Sequence, residues 1–167
     1  MNHGQRIARL FAMDTRVWER HANPWSVWTR VAAFPLLVLA IWSRAWLGWW
    51  ALAPAAAAVL FLWLNPRLFP PPASTRSWAS RAVLGERVWL NRAAVPIPAH
   101  HRHMAAILSI VPLGGLVALI WGLAAYDAAL TLLGLATVML GKLWFVDRMV
   151  WLFEDMKGRS EYRDWLR

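Results

Sequence analysis

Oily blocks alternate with arginine-rich ones along this chain, and the alternation is too coarse for a soluble fold. A soluble helix or strand interleaves polar with apolar positions at a period of 3.6 or 2. Here four blocks, about 25–42, 45–64, 104–125 and 128–148, are each close to the ~20 apolar residues that a bilayer requires. Ser43-Arg44 separates the first two and Tyr126-Asp127 the last two, so the blocks pair as two tight hairpins. Asn23 before Pro24 predicts a side-chain cap and a first-turn proline for the first span, and Asp127 is placed to cap the fourth. Trp42, Trp46, Trp49 and Trp50 crowd the first hairpin tip, as an interfacial aromatic belt does. Pro35, Pro54 and Pro112 read as lying inside spans, where neighbouring helices must satisfy the freed carbonyls.

The remaining segments are polar or mixed. In Gln5–Arg20, Ile7, Leu10, Phe11, Val17 and Trp18 share one stripe with the arginines largely elsewhere, which predicts a helix lying in the headgroup region. Asn65-Pro66 is expected to stop the second span, and Phe69-Pro70-Pro71-Pro72 forces extended backbone. Ser74 or Thr75 is expected to cap a second interfacial helix through about Asn91, with Trp78, Ala82, Gly85 and Trp89 at helical spacing. The fourth helix continues through the exit stretch GKLWFVDRMVWLFEDM, and the tail 157–167 reads as a short exposed helix. The predicted fold is an all-α integral membrane four-helix bundle of two transmembrane hairpins. One membrane domain, 1–167, then carries an N-terminal interfacial helix (5–20) and a middle loop (65–103) with its own interfacial helix.

Composition narrows the class. The chain is 59% hydrophobic, with 14 Trp and a formal charge of +9. In a soluble protein that charge would suggest nucleic acid, but the oily blocks leave no soluble core on which to mount a basic face. The charge reads instead as topology and as attraction to membrane lipids with anionic headgroups. Arg6, Arg9, Arg16, Arg20 and Arg30 lie on the N-terminal side, and Arg67, Arg76, Arg81, Arg87, Arg92 and Arg102 in the middle loop. The opposite face offers only Arg44. Lys/Arg excess marks the cytoplasmic side, so a multi-pass protein of the inner membrane with both termini cytoplasmic is expected. The first residues carry no apolar signal core or small-residue cleavage site, so the first span is expected to direct insertion. With no cysteine, disulfides, thiolate nucleophiles and Cys metal sites are excluded.

The candidate chemistry lies at the cytoplasmic boundary. Asp147, Glu154 and Glu86 are the candidate catalytic carboxylates, since acids facing the interior of a membrane bundle tend to be functional. Asp147 and Glu154 share one helix face but stand ~10 Å apart in rise, too far to share a metal without ligands from other helices. His100, His101 and His103, joined by His21, are candidate metal ligands, and with a carboxylate they suit non-haem iron or zinc. HHRH is not a HxxHH box, and five histidines cannot fill the several boxes of membrane di-iron hydroxylases and desaturases. Arg76, Arg81, Arg87 and Arg92 are candidates for a lipid headgroup or phosphate. No nucleophile elbow, P-loop or dinucleotide fingerprint is present.

HANPWSVWTR, NPRLFPPP, RSWASRAVLGERVWLNR and GKLWFVDRMVWLFEDM together resemble an uncharacterised family of small Trp-rich prokaryotic membrane proteins, over most of the chain. The resemblance implies a four-span protein and no activity. Two classes of function follow from the residues. One is a membrane module, an accessory or scaffold subunit or a lipid-interacting protein, with a membrane protein partner or a second copy. The other is a membrane enzyme using a His/carboxylate site, with or without metal, on an amphiphilic substrate. Few polar groups inside the spans make a poor transport pathway.

Overall fold

The computed structural model describes residues 15–166, which form helices and their connections, with no strand among them. In chain order these are α1 (Thr15–His21), α2 (Pro24–Trp42), α3 (Arg44–Leu47), a 3₁₀ turn (Gly48–Ala51) and α4 (Leu52–Leu68). Then follow α5 (Trp78–Leu90), α6 (Ala99–Ala125), α7 (Ala128–Met156) and a second 3₁₀ turn (Arg163–Trp165). The end of the helix predicted over 5–20 is present as α1; residues 5–14 lie outside the described residues. Among the described residues three stretches are long and apolar enough to cross a membrane: Pro24–Leu68, Ala99–Ala125 and Ala128–Met156. The first of them folds back on itself. Asn65, near the end of α4, bonds Ser26 and Thr29 near the start of α2, so these two helices run antiparallel.

Local chemistry sets most of the ends. Asn23 Oδ1 accepts from the Trp25 amide at 2.9 Å and Pro24 opens α2, where no amide donor is needed. Asp127 Oδ1 accepts from the Leu130 amide at 2.9 Å to open α7, after Tyr126 turns the chain in the left-handed region (φ 56). Three expectations are corrected. Pro54 lies in the first turn of α4, where its missing donor costs nothing, rather than in the interior of a helix. Asn65-Pro66 does not stop α4, which runs on to Leu68 with Asn65 held from the side by α2. Ser77, rather than Ser74 or Thr75, caps α5 by accepting from the Ser80 amide at 3.1 Å, while Thr75 donates to the Trp165 carbonyl. In addition α6 begins at Ala99, earlier than Met104, so the HHRH run is helical.

Packing differs between the two pairs. α6 and α7 approach until backbones touch: a Cβ on Gly134 would sit 2.4 Å from the Leu119 amide nitrogen. At one end of the bundle α5 lies across α7, and a Cβ on Gly85 would sit 1.8 Å from the Met149 carbonyl oxygen. Around that crossing Val88, Ala105, Met149, Leu152, Phe153 and Met156 form the larger core. A smaller one at the other end joins Val38, Leu119 and Leu123, with Phe34, Ile41 and Trp42 against it. The tail is not an exposed helix. It folds back so that Tyr162 is buried in the larger core and its hydroxyl accepts from Asn91 Nδ2 at 3.0 Å. At the hairpin tips Trp49 and Trp50 are 87% and 81% exposed, while Trp42 turns edge-on to Tyr126. Arg44 lies over the Tyr126 ring and ties the tips together by donating to the Tyr126 hydroxyl and the Leu123 carbonyl.

Gly85→Ala is expected to lift α5 from α7 and to cost at least the upper part of the ~1–3 kcal/mol usual for overpacking. Gly114→Ala, whose Cβ would meet nothing within 4 Å, is not expected to lower stability, since alanine is the better helix former. Thermal melts of the detergent-purified variants compare the two directly, and equal melting temperatures would contradict the crossing geometry.

Candidate functional site

α1, α2, α4, α5 and α7 surround a cleft, and each of them contributes a charged or titratable side chain to its lining. Their placement starts with a chain of hydrogen bonds. Arg30 Nη1 stands 3.0 Å from His21 Nε2 and, as an obligate donor, makes that nitrogen the acceptor. The ring proton is then on Nδ1, which donates to Ser26 Oγ at 3.2 Å. Ser26 donates to Asn65 Oδ1 at 2.8 Å, and Asn65 Nδ2 donates to Thr29 Oγ1 at 2.8 Å. Ser26 and Asn65 are fully buried, so each link satisfies a polar group that would otherwise be stranded. On the other wall Lys142 Nζ of α7 donates to Glu86 Oε1 of α5 at 2.7 Å. Ser80 Oγ donates to the Ala22 carbonyl at 2.7 Å and fixes α5 against the α1–α2 junction.

His21, Arg30, Glu86 and Lys142 line two cavities at once, of about 330 and about 570 Å³. The first is otherwise walled mainly by apolar groups such as Val27, Phe34, Leu62 and Val138. The second adds Val59, Trp63 and Phe145, together with Arg67. Two cations, Arg30 and Lys142, thus face one carboxylate in an apolar cleft. Burial alone would push the Glu86 carboxyl up. The Lys142 ammonium, aided by Arg30, more than offsets it, so Glu86 titrates below its ordinary value and stays charged. His21 is shifted by its own burial first and by Arg30 second, from 6.5 to about 4, so its ring is neutral at neutral pH.

The other predicted site residues are scattered. Asp147 accepts from Trp78 Nε1 at 3.1 Å and from Arg148 at 2.9 Å, and Glu154 pairs with Arg81 at 3.0 Å and with Lys157. The four loop arginines do not form one site. Arg81 is in that pair, Arg87 lies over Trp165, Arg92 lies over Trp89, and Arg76 is exposed. His21 does not join the other histidines: it faces Arg30, whereas His100 and His101 meet Asp155, and His103 is exposed outside that group. Of the four charged or titratable residues that line both cavities, Glu86 and His21 were candidates from sequence. Arg30 and Lys142 were not, although a cation inside an oily helix is itself a signal.

A proton balance gives a test of the cleft. Unfolded, His21 binds a proton near pH 6.5; folded, it resists until about pH 4. The unfolded state therefore holds more protons in that window, and stability falls as pH falls through it, by up to ~3 kcal/mol. His21→Gln is expected to remove this slope, read as the difference in melting temperature between wild type and variant at stepped pH. Parallel wild-type and variant profiles would mean that His21 is not buried neutral.

No curated protein and no solved structure matches the chain. By the match over residues 3–167, the chain belongs to DUF6653, a family of unknown function.

Proposed function

We propose that this is a four-span protein of the cytoplasmic membrane that holds the anionic head of an amphiphile in the cleft between α2, α4, α5 and α7. The observation that carries the reading is the charged partition, His21, Arg30, Glu86 and Lys142, shared by two apolar-walled cavities. The partition has one positive charge in excess, and Arg67 adds another on the side of the larger cavity. Binding sites for small amphiphiles are apolar clefts of roughly 300–1,000 Å³ with few oriented polar groups, and both cavities lie in that range. Arg30 supplies a planar fork suited to carboxylate or phosphate, with Nη1 steadied by His21. Lys142 supplies a point charge on a flexible stem. The apolar walls receive the tail.

The topology is argued from charge and hairpin geometry together. The antiparallel α2 and α4 count as two spans and α6 and α7 as two more, with α1 and α5 as interfacial helices. The arginines of α1, α5 and the connections beside them then fall on the cytoplasmic face. Lys142 lies about 20 Å along α7 from its start at Ala128, within snorkelling reach of the cytoplasmic headgroups. An anionic head in the cleft is then level with those of the surrounding lipid.

The test uses the full chain in neutral detergent with dodecyl phosphate, laurate and the neutral monolaurin, read by native mass spectrometry or tracer displacement. The anions are expected to bind at least about tenfold more tightly than monolaurin, and Arg30→Gln and Lys142→Gln each to remove about a factor of ten, the order of one charge-assisted bond. Arg76→Gln should bind as wild type does. Equal affinity for anionic and neutral amphiphiles, or folded Arg30→Gln and Lys142→Gln proteins with undiminished binding, would refute the assignment.

A further inference from the structure

Because α6 and α7 are antiparallel, the first turn of α6 lies beside the last turn of α7. That brings two adjacent histidines to one carboxylate. His101 Nε2 is 2.8 Å and His100 Nε2 is 3.8 Å from Asp155 Oδ2. The two rings lie with centroids 4.1 Å apart and tilted by 40°. One ligand atom from each residue lies within 4.8 Å of the other two, and no other group of three such residues does so among the described residues.

A hydrogen-bonded pair would need one imidazole, not two. Two protonated rings at this separation would repel, whereas two neutral rings beside a carboxylate are a donor set for a borderline divalent metal. The distances fit. Bonds of about 2.0–2.2 Å from His nitrogen and Asp oxygen hold tetrahedral donors roughly 3.4 Å apart, and 2.8 and 3.8 Å fall on either side of that value. Exposure is graded in the same sense. The His101 side chain is 7% exposed and anchors the site, while His100 and Asp155, at 70% and 50%, leave room for solvent.

We propose that His100, His101 and Asp155 bind one divalent first-row ion of the zinc class through two nitrogens and one oxygen, with water completing the shell. The ion clamps the start of α6 to the end of α7. The site is separate from the amphiphile cleft and does not depend on it, since none of its three ligands lines either cavity.

The experiment uses the full chain in detergent, stripped with chelator and titrated with Zn(II) alone against a chromophoric competitor, alongside melting curves. One Zn(II) per chain is expected, with a melting temperature that rises with free zinc as linkage requires. His100→Ala and Asp155→Asn, both at exposed side chains, should each weaken binding at least about tenfold, or 1.4 kcal/mol, without unfolding the protein. His103→Ala, outside the group, should bind as wild type does. Two results would overturn the proposal: no zinc retained beyond that of the His100→Ala/Asp155→Asn double variant, or an equal loss in His103→Ala, which marks diffuse binding to the HHRH run. His101→Ala serves only as a third variant, because its burial risks the fold.

Discussion

The hydrogen bond between Ser26 and Asn65 sets the geometry on which the cleft depends. Little of α2 and α4 is buried: Ser26, Ala33 and Val38 on α2, and Asn65 and Pro66 on α4. Helices that are oily on every face have no hydrophobic preference for one register, and directed hydrogen bonds and close approach must choose it. Asn65 does so by bonding Ser26 and Thr29 together, one helical turn apart on α2. The same linkage reaches His21 through Ser26 and so fixes where Arg30 can extend. Asn23 continues the ties by donating to the Pro70 carbonyl at 3.0 Å, which returns the proline run to the start of α2.

The second hairpin is held differently. Glycines let α6 and α7 meet backbone to backbone, and Pro112 packs against Gly141, so the proline ring of α6 sits where α7 lacks a side chain. α5 joins the two pairs. It reaches the first hairpin through Ser80 and through Trp78, which stacks on Trp28. It reaches α7 through Gly85, Trp78 and Glu86. The cleft is the space this bridge leaves between the hairpins. Its charged lining follows from the same cause, because Glu86 and Lys142 pair only where α5 and α7 cross.

How much of this was legible follows the range of each interaction. Asn23, Pro24 and Asp127 act within three residues, so the starts of α2 and α7 could be read directly. The start of α5 could not. Ser74, Thr75 and Ser77 are all competent caps, and the choice depends on Thr75 finding the Trp165 carbonyl, 90 residues away. His21, Glu86 and the HHRH run stood out by chemical type, but their partners did not: Lys142 is 56 residues from Glu86, and Asp155 is 54 from His101. The tail failed for a related reason. Tyr162 sits among polar neighbours, Ser160, Glu161, Arg163 and Asp164, and no local period marks it as core.

That buried tyrosine bears on how the protein is made. Tyr162 and Trp165 cover α5 and the end of α7, yet the ribosome adds them after every helix they seal. The larger core therefore lacks part of its cover until residues from beyond α7 return to it. A chain ending before Tyr162 would retain the residues of every long helix and leave Asn91 without its phenolic partner.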